Sequence, residues 1–296
     1  MSKLVHFDEV RKNNIRTFFL FLIFFSLVLL LGAFLGLYMG SLAFGMIFTF
    51  FIGFIYALIA YSSGRNMLLR LTGAKKVTKR EYPHLFHSLE GLSLAAGIPT
   101  PEGYVIESKS MNAFATGKGP EEGVVVVTTG LLDKLNREEL EGVVAHEIAH
   151  IKNYDIRTML LAAILVGILA SLSHMLIRIA IFNPRGGRDG RATLFFLIGG
   201  IVLAILTPFI GEAIKMTLSR KREYAADATA AVLTRNPGGL ANALRKLSGD
   251  TNPLEVADAG NSHLFISRPK RKKKWLEKLF STHPPTEERI RRLESM

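Results

Sequence analysis

Apolar residues in this chain are gathered into blocks rather than spread along it. Thr17 to Tyr61 contains no Lys, Arg, Asp, Glu or His, long enough for two membrane-spanning helices of about 20 residues each, turning at Gly36, Tyr38, Gly40 and Ser41. The first run is too long for the apolar segment of a signal peptide and a second follows at once, so both are expected to stay. A third block runs from Thr158 to about Phe182 and a fourth from Thr193 to Gly211, joined by Asn183 to Arg191. His174 and Arg178 interrupt the third, Pro208 lies in the fourth, and Arg185, Arg188 and Arg191 occupy the connector. A crossing hairpin and a buried or shallow one both fit. If both blocks cross, or neither does, the chain before Thr158 and the chain after Gly211 lie on one side.

Between the blocks the pattern is that of a small folded domain. Glu81 to Ala96 has helical periodicity and is stopped by Gly97 and Pro99. Its two histidines, His84 and His87, carry no companion carboxylate pattern and read as surface residues. Gly103 to Glu107 and Val124 to Thr128 read as strands. The segment Asn112-Ala113-Phe114-Ala115-Thr116-Gly117 between them suits an edge strand able to pair with an extended peptide, although an ordinary hairpin has the same pattern. Gly130 to Leu135 reads as a turn and short helix. Asn136 with Glu139 then forms a capping-box signature, and Leu140, Val143, Val144, Ile148 and Ile151 make the apolar stripe of the helix that follows. Past the fourth block, a helix extends to Leu233, Pro237-Gly238-Gly239 is expected to break it, and Leu240 to Leu247 resumes. Asn252 to Ser267 is expected to be a loop, and a last helix carries Glu287 and Glu288 in its first turn.

Net charge changes this picture in one respect. The 296 residues carry 37 Lys and Arg against 25 Asp and Glu, a formal +12, which on its own would suit nucleic acid. The basic residues, however, flank the apolar blocks. Lys3, Arg11, Lys12 and Arg16 precede the first, and Arg65, Arg70, Lys75, Lys76, Lys79 and Arg80 follow the second. They read as orientation signals, placing the amino terminus and everything after Tyr61 in the cytosol. Arg268 to Trp275 is a further polybasic run suited to anionic lipid or to a solvated loop. The chain has no cysteine, which excludes disulfides, thiolate metal ligands and a Cys nucleophile.

The candidate chemistry lies on the capped helix, at His146-Glu147-Ile148-Ala149-His150. Two histidines four apart share a helical face and can converge on one ion, and Glu147 between them is placed to take a proton from water at that ion. A catalytic zinc site uses three protein ligands and an open position, and Glu223 in Arg222-Glu223-Tyr224-Ala225-Ala226-Asp227 is the candidate third. Asp227, one helical turn on, can orient a ligand histidine. Glu223 paired with Arg220 or Lys221 on a solvated face is the alternative. His283, set in Ser281-Thr282-His283-Pro284-Pro285, is a candidate oxyanion donor beside Tyr224, His263 and backbone amides. Two other classes use similar residues. A metal transporter needs such ligands at membrane depth, whereas this motif lies outside the uncharged block. A catalytically dead scaffold would have no need of Glu147.

Taken in order, these motifs resemble the HtpX-type membrane-bound zinc metalloproteases, relatives of the CAAX prenyl endopeptidases. The likeness rests on the N-terminal apolar hairpin, Asn112 to Gly117, His146 to His150 with Asn153 and Asp155, Ser219-Arg220 with Glu223 and Asp227, and Ser281 to Pro285. It implies a mainly α membrane protein with a zincin-like catalytic domain and a small β-sheet, divided at 1–64, 65–157, 158–214 and 215–296. It further implies one zinc per chain on His146, His150 and Glu223, with Glu147 as base. The implied activity is that of a gluzincin endopeptidase, cleaving damaged or misassembled membrane proteins on the cytosolic side of the inner membrane.

Overall fold

The computed structural model describes residues 3–182, 190–217, 220–252 and 284–296. The polybasic run at 268–275, most of the 183–191 connector, Ser219, His263 and His283 lie outside the described residues. The elements in order are α1 (Lys3–Met39), α2 (Leu42–Leu71), β1 (Lys75–Lys76), α3 (Pro83–Ala96), β2 (Glu102–Ile106), β3 (Ala113–Thr116), β4 (Val124–Thr128), α4 (Thr129–Lys134), α5 (Arg137–Lys152), α6 (Asp155–Ile181), α7 (Gly190–Thr217), α8 (Arg220–Thr234), α9 (Pro237–Gly249) and α10 (Thr286–Glu294). The protein is thus mainly helical with a small mixed sheet. It divides into a polar unit of residues 1–13, 65–160 and 215–296, and an apolar unit of residues 14–64 and 161–214.

The apolar unit is helical because its sequence offers no polar alternative over these spans. α2 and α6 are each long and apolar enough to cross a membrane, with mean hydropathy of 2.3 and 2.4, and α1 and α7 carry the shorter apolar runs Phe21–Leu37 and Thr193–Thr207. Phe24, Val28 and Ala57 pack with Ala162, Leu165, Val166 and Ile168. Where α1 and α2 turn, Gly36 and Gly45 approach so closely that a side chain on Gly45 would meet the Gly36 backbone at 2.4 Å. Phe18, Phe19, Ile47, Phe51, Ile55 and Ile59 all remain at least half exposed, an apolar surface that lipid accommodates and water does not.

The polar unit is built on a four-stranded sheet of order β1-β2-β4-β3. β2 and β4 are parallel, Glu102 opposite Val124, while β3 runs antiparallel to β4 at one edge, with Phe114 opposite Val126. One face of this sheet, with Val105, Ala113, Ala115, Val125 and Val127, shares a core with Leu140, Val143, Val144, Ile148 and Ile151 of α5. The capping box forms as its sequence predicts: the Asn136 side chain accepts the Glu139 N–H and Glu139 accepts the Asn136 N–H, each at 2.9 Å. α9 begins earlier than predicted. Pro237 occupies its first turn, where a missing N–H costs nothing, and the Asn236 side chain caps it through the Gly239 N–H. The Pro-Gly-Gly sequence therefore starts a helix after the break at Arg235 instead of forming the break.

Candidate metal centre

α5 ends at Lys152, and the next helix does not continue it. Tyr154 adopts a left-handed conformation with φ 59°, and Asp155 opens α6 after this interruption. In an uninterrupted helix, residues five apart differ by about 140° around the axis, so Asp155 would point away from His150. The break turns it back: Asp155 Oδ2 lies 2.9 Å from His150 Nδ1. On the preceding turn, His146 Nδ1 lies 3.0 Å from Asp227 Oδ1, a residue of α8. With each Nδ1 facing a carboxylate, both rings present Nε2 to the same point. Those two Nε2 atoms are 3.1 Å apart, and the Glu223 oxygens lie 3.7 Å from each.

His146, His150 and Glu223 offer ligand atoms that all lie within 4.8 Å of one another, and all three residues are at most 5% exposed. The flanks of the second apolar hairpin therefore meet, Asp155 and His150 before it and Glu223 and Asp227 after it. Such a meeting is what the sequence allows if both apolar blocks cross, or if neither does.

The surroundings fit a divalent cation by charge as well as by ligand type. Glu147, Asp155, Glu223 and Asp227 are four buried carboxylates, and Arg222 and Arg289 are two buried guanidiniums. Arg289, on α10, grips Asp227 with Nε and Nη2 at 2.8 and 2.7 Å and approaches Glu223 at 3.6 Å. Arg222 donates to Asp155 Oδ1 at 2.8 Å. With both imidazoles neutral the cluster carries two uncompensated negative charges, which one zinc ion would balance; two imidazoles and a carboxylate are the donor set that zinc takes.

The ionisation equilibria respond to the same charges. Burial would lower the His150 pKa, but the hydrogen bond to Asp155 and the charges of Glu223, Asp155 and Glu147 outweigh it and raise it to about 9. Burial would raise that of Asp227, yet the Arg289 charge and hydrogen bonds, with those of His146, hold it at about 2. Glu147, next to His146 on α5, is itself buried at 4% exposure, and its charge contributes to raising the His150 pKa.

Other predicted residues fall near this helix. Ala113 and Phe114 are in β3, each 1% exposed, and Asn112 precedes them, its backbone N–H donating to Thr128 Oγ1 at 2.9 Å. Tyr224 lies beneath the Arg292 guanidinium, 3.8 Å from its ring centroid. His84 and His87 are exposed. Arg289 and Arg222 were not anticipated. The signal for Arg289 was available: it stands four residues before the buried Leu293, on the inward stripe of the last helix, where an arginine has to find a buried anion.

An H-E-x-x-H helix with a glutamate converging from a second helix, joined to long apolar helices, defines a membrane metalloprotease. The chain belongs to peptidase family M48, whose model matches residues 80–296. It is 43% identical over 296 residues to a protease HtpX homolog from Dictyoglomus thermophilum, covering 100% of this chain and 96% of the relative. It is also 43% identical over 302 residues to one from Listeria innocua, covering 98% and 99%. The crystal structure of S. mikatae Ste24p shares the fold, with a TM-score of 0.50 at 20% identity over 81% of this chain; the match spans 56% of that longer chain.

Proposed function

We propose that this protein is a zinc endopeptidase of the membrane that cleaves misfolded or damaged membrane proteins on the cytosolic side. The convergence of His146 Nε2, His150 Nε2 and Glu223 carries the reading. These three residues would hold one zinc ion, which when bound supplies Lewis acidity, acidifying water and polarising a carbonyl. Glu147 acts as general base, accepting a proton from the attacking water and delivering it to the departing amine. Asp227 and Asp155 keep the histidines in the tautomer with Nδ1 protonated, leaving each Nε2 lone pair to the metal. The substrate strand would pair with the outer edge of β3, along Asn112, Ala113 and Phe114. Because Ala113 and Phe114 are 1% exposed, such pairing requires that edge to be uncovered first. His283 is assigned the oxyanion. The basic residues flanking the first hairpin support cytosolic orientation; Lys75, Lys76 and Lys79 pair with Glu107, Glu102 and Glu90, but orientation follows the Lys and Arg count and not net charge.

Zinc content and cleavage measured on one preparation test the chemistry. Glu147→Gln should stay folded and zinc-loaded while hydrolysis falls by about two to four orders of magnitude. A zinc-loaded, folded variant cleaving at the wild-type rate would remove Glu147 from the mechanism. For the orientation, a segment around His146 cut only from outside sealed vesicles would contradict the cytosolic placement.

A further inference from the structure

Asp155 is the first residue of α6 and Arg222 the third of α8. In sequence they bracket the second apolar hairpin; in space the two side chains touch, and both are buried, at 1% and 5% exposure. Asp155 uses its oxygens for different purposes, Oδ1 for Arg222 Nη1 at 2.8 Å and Oδ2 for His150 Nδ1 at 2.9 Å. We propose that Arg222 and Asp155 form a positioning chain on His150 that ties the metal centre to the two ends of the apolar hairpin, so that metal affinity depends on those ends being held together. The proposal rests on the zinc reading of His146, His150 and Glu223.

The physical argument is one of orientation under burial. A carboxylate taken out of water keeps its charge and direction only if its lone pairs are satisfied. The N-terminus of α6 contributes to this, and Arg222 brings a full positive charge into contact with Asp155. Without Arg222 the carboxylate loses the contact that fixes its direction, and the His150 ring is held less firmly in the orientation that points Nε2 at the metal. Arg222 also precedes Glu223 directly, so the ion pair sets where α8 presents the third ligand. His146 is served by a separate chain, Asp227 and Arg289, whose arginine comes from α10. The two histidines thus report on two different junctions of the fold, His150 on the hairpin and His146 on the carboxyl-terminal helix.

The test is zinc affinity of the purified full chain by chelator competition, with the cobalt(II) absorption spectrum as an independent readout of ligand geometry. Arg222→Gln and Asp155→Asn should each weaken zinc binding about 10- to 100-fold and alter the cobalt spectrum. The double variant should be no weaker than the worse single, because the two residues act through one another. Lys246→Gln, which breaks the pair between Lys246 of α9 and Glu139 of α5 without touching a histidine, is the structural control: it should lower stability and leave zinc affinity unchanged. Arg222→Gln with wild-type affinity and spectrum would overturn the proposal, as would losses that multiply in the double variant or an equal loss in Lys246→Gln. Should Arg222→Gln fail to fold, Asp155→Asn decides alone, and wild-type affinity there overturns the proposal. His146→Ala and Glu223→Ala separate the two levels: if they too bind zinc normally the ligand assignment fails, whereas if only they lose zinc the positioning chain fails.

Discussion

Arg289→Met removes the guanidinium that neutralises Asp227 while keeping an unbranched side chain in its place. Arg289 and Asp227 are each 2% exposed, so water cannot take over the role. Two charge-assisted hydrogen bonds are lost, at 2.8 and 2.7 Å, and among the described residues the remaining polar contact of Asp227 is His146 Nδ1 at 3.0 Å. At about 1.5–3 kcal/mol for a hydrogen bond to a charged group, the pair bounds the cost near 3–6 kcal/mol; breaking a buried ion pair from one side costs about 3–5 kcal/mol. The two estimates overlap at about 4 kcal/mol, close to a thousandfold in the folded-to-unfolded ratio at 1.4 kcal/mol per tenfold. Urea unfolding of the full chain in detergent, followed by resistance to proteolysis and with chelator present to remove stabilisation by bound metal, measures it. Adding Asp227→Asn should recover at least half of the loss, because the stranded charge, not the missing contact, dominates. A loss below about 1 kcal/mol in Arg289→Met, or a double variant as unstable as the single, would refute the reasoning.

Two predictions concern the scaffold around the centre. A Cβ on Gly142 would lie 2.6 Å from the Leu240 backbone N and 2.8 Å from its Cα, so Gly142→Ala should lower the melting temperature by forcing α5 and α9 apart. Overpacking at about 1–3 kcal/mol outweighs roughly 1 kcal/mol of gained helix propensity, and a variant more stable than wild type would show that the approach of the two helices is not tight. Asp250 accepts the Met111 N–H at 2.6 Å and a proton of Lys134 at 3.1 Å; burial would raise its pKa, but these bonds and those from Asn252 lower it. A lowered carboxylate pKa stabilises fully above the unfolded value of about 3.9 and ceases to do so as pH falls through the folded value. Asp250→Asn should therefore cost about 1–3 kcal/mol at neutral pH, with the gap to wild type closing below about pH 4. A gap unchanged between pH 7 and pH 3 would contradict this.

By itself the sequence determined the apolar blocks, the capping-box start of α5 and the pairing of His146 with His150, because each depends on neighbours within a few residues. Val124 to Thr128 was legible for the same reason, as an uninterrupted apolar β-branched run between turn residues. The proposed third ligand was legible only by analogy of motif. Glu223 stands 73 residues after His150, and nothing local distinguishes it from a glutamate paired with Arg220 on a solvated face. What brings it to the histidines is the return of the chain after the second hairpin, a tertiary event. The buried arginines were less accessible still. Arg222 and Arg289 sit among basic neighbours, in Arg220-Lys221-Arg222 and near Arg291-Arg292, and the charge pattern marks all of them as solvent-facing. Only the packing of α8 against α5, and of α10 against α9 and α8, decides which guanidinium of each group goes inside, because only there do the carboxylates of Asp155 and Asp227 lie waiting to be neutralised. The sharp turn at Tyr154 was hidden likewise: a left-handed tyrosine has no local sequence cause, and it persists because the turn allows Asp155 to reach His150.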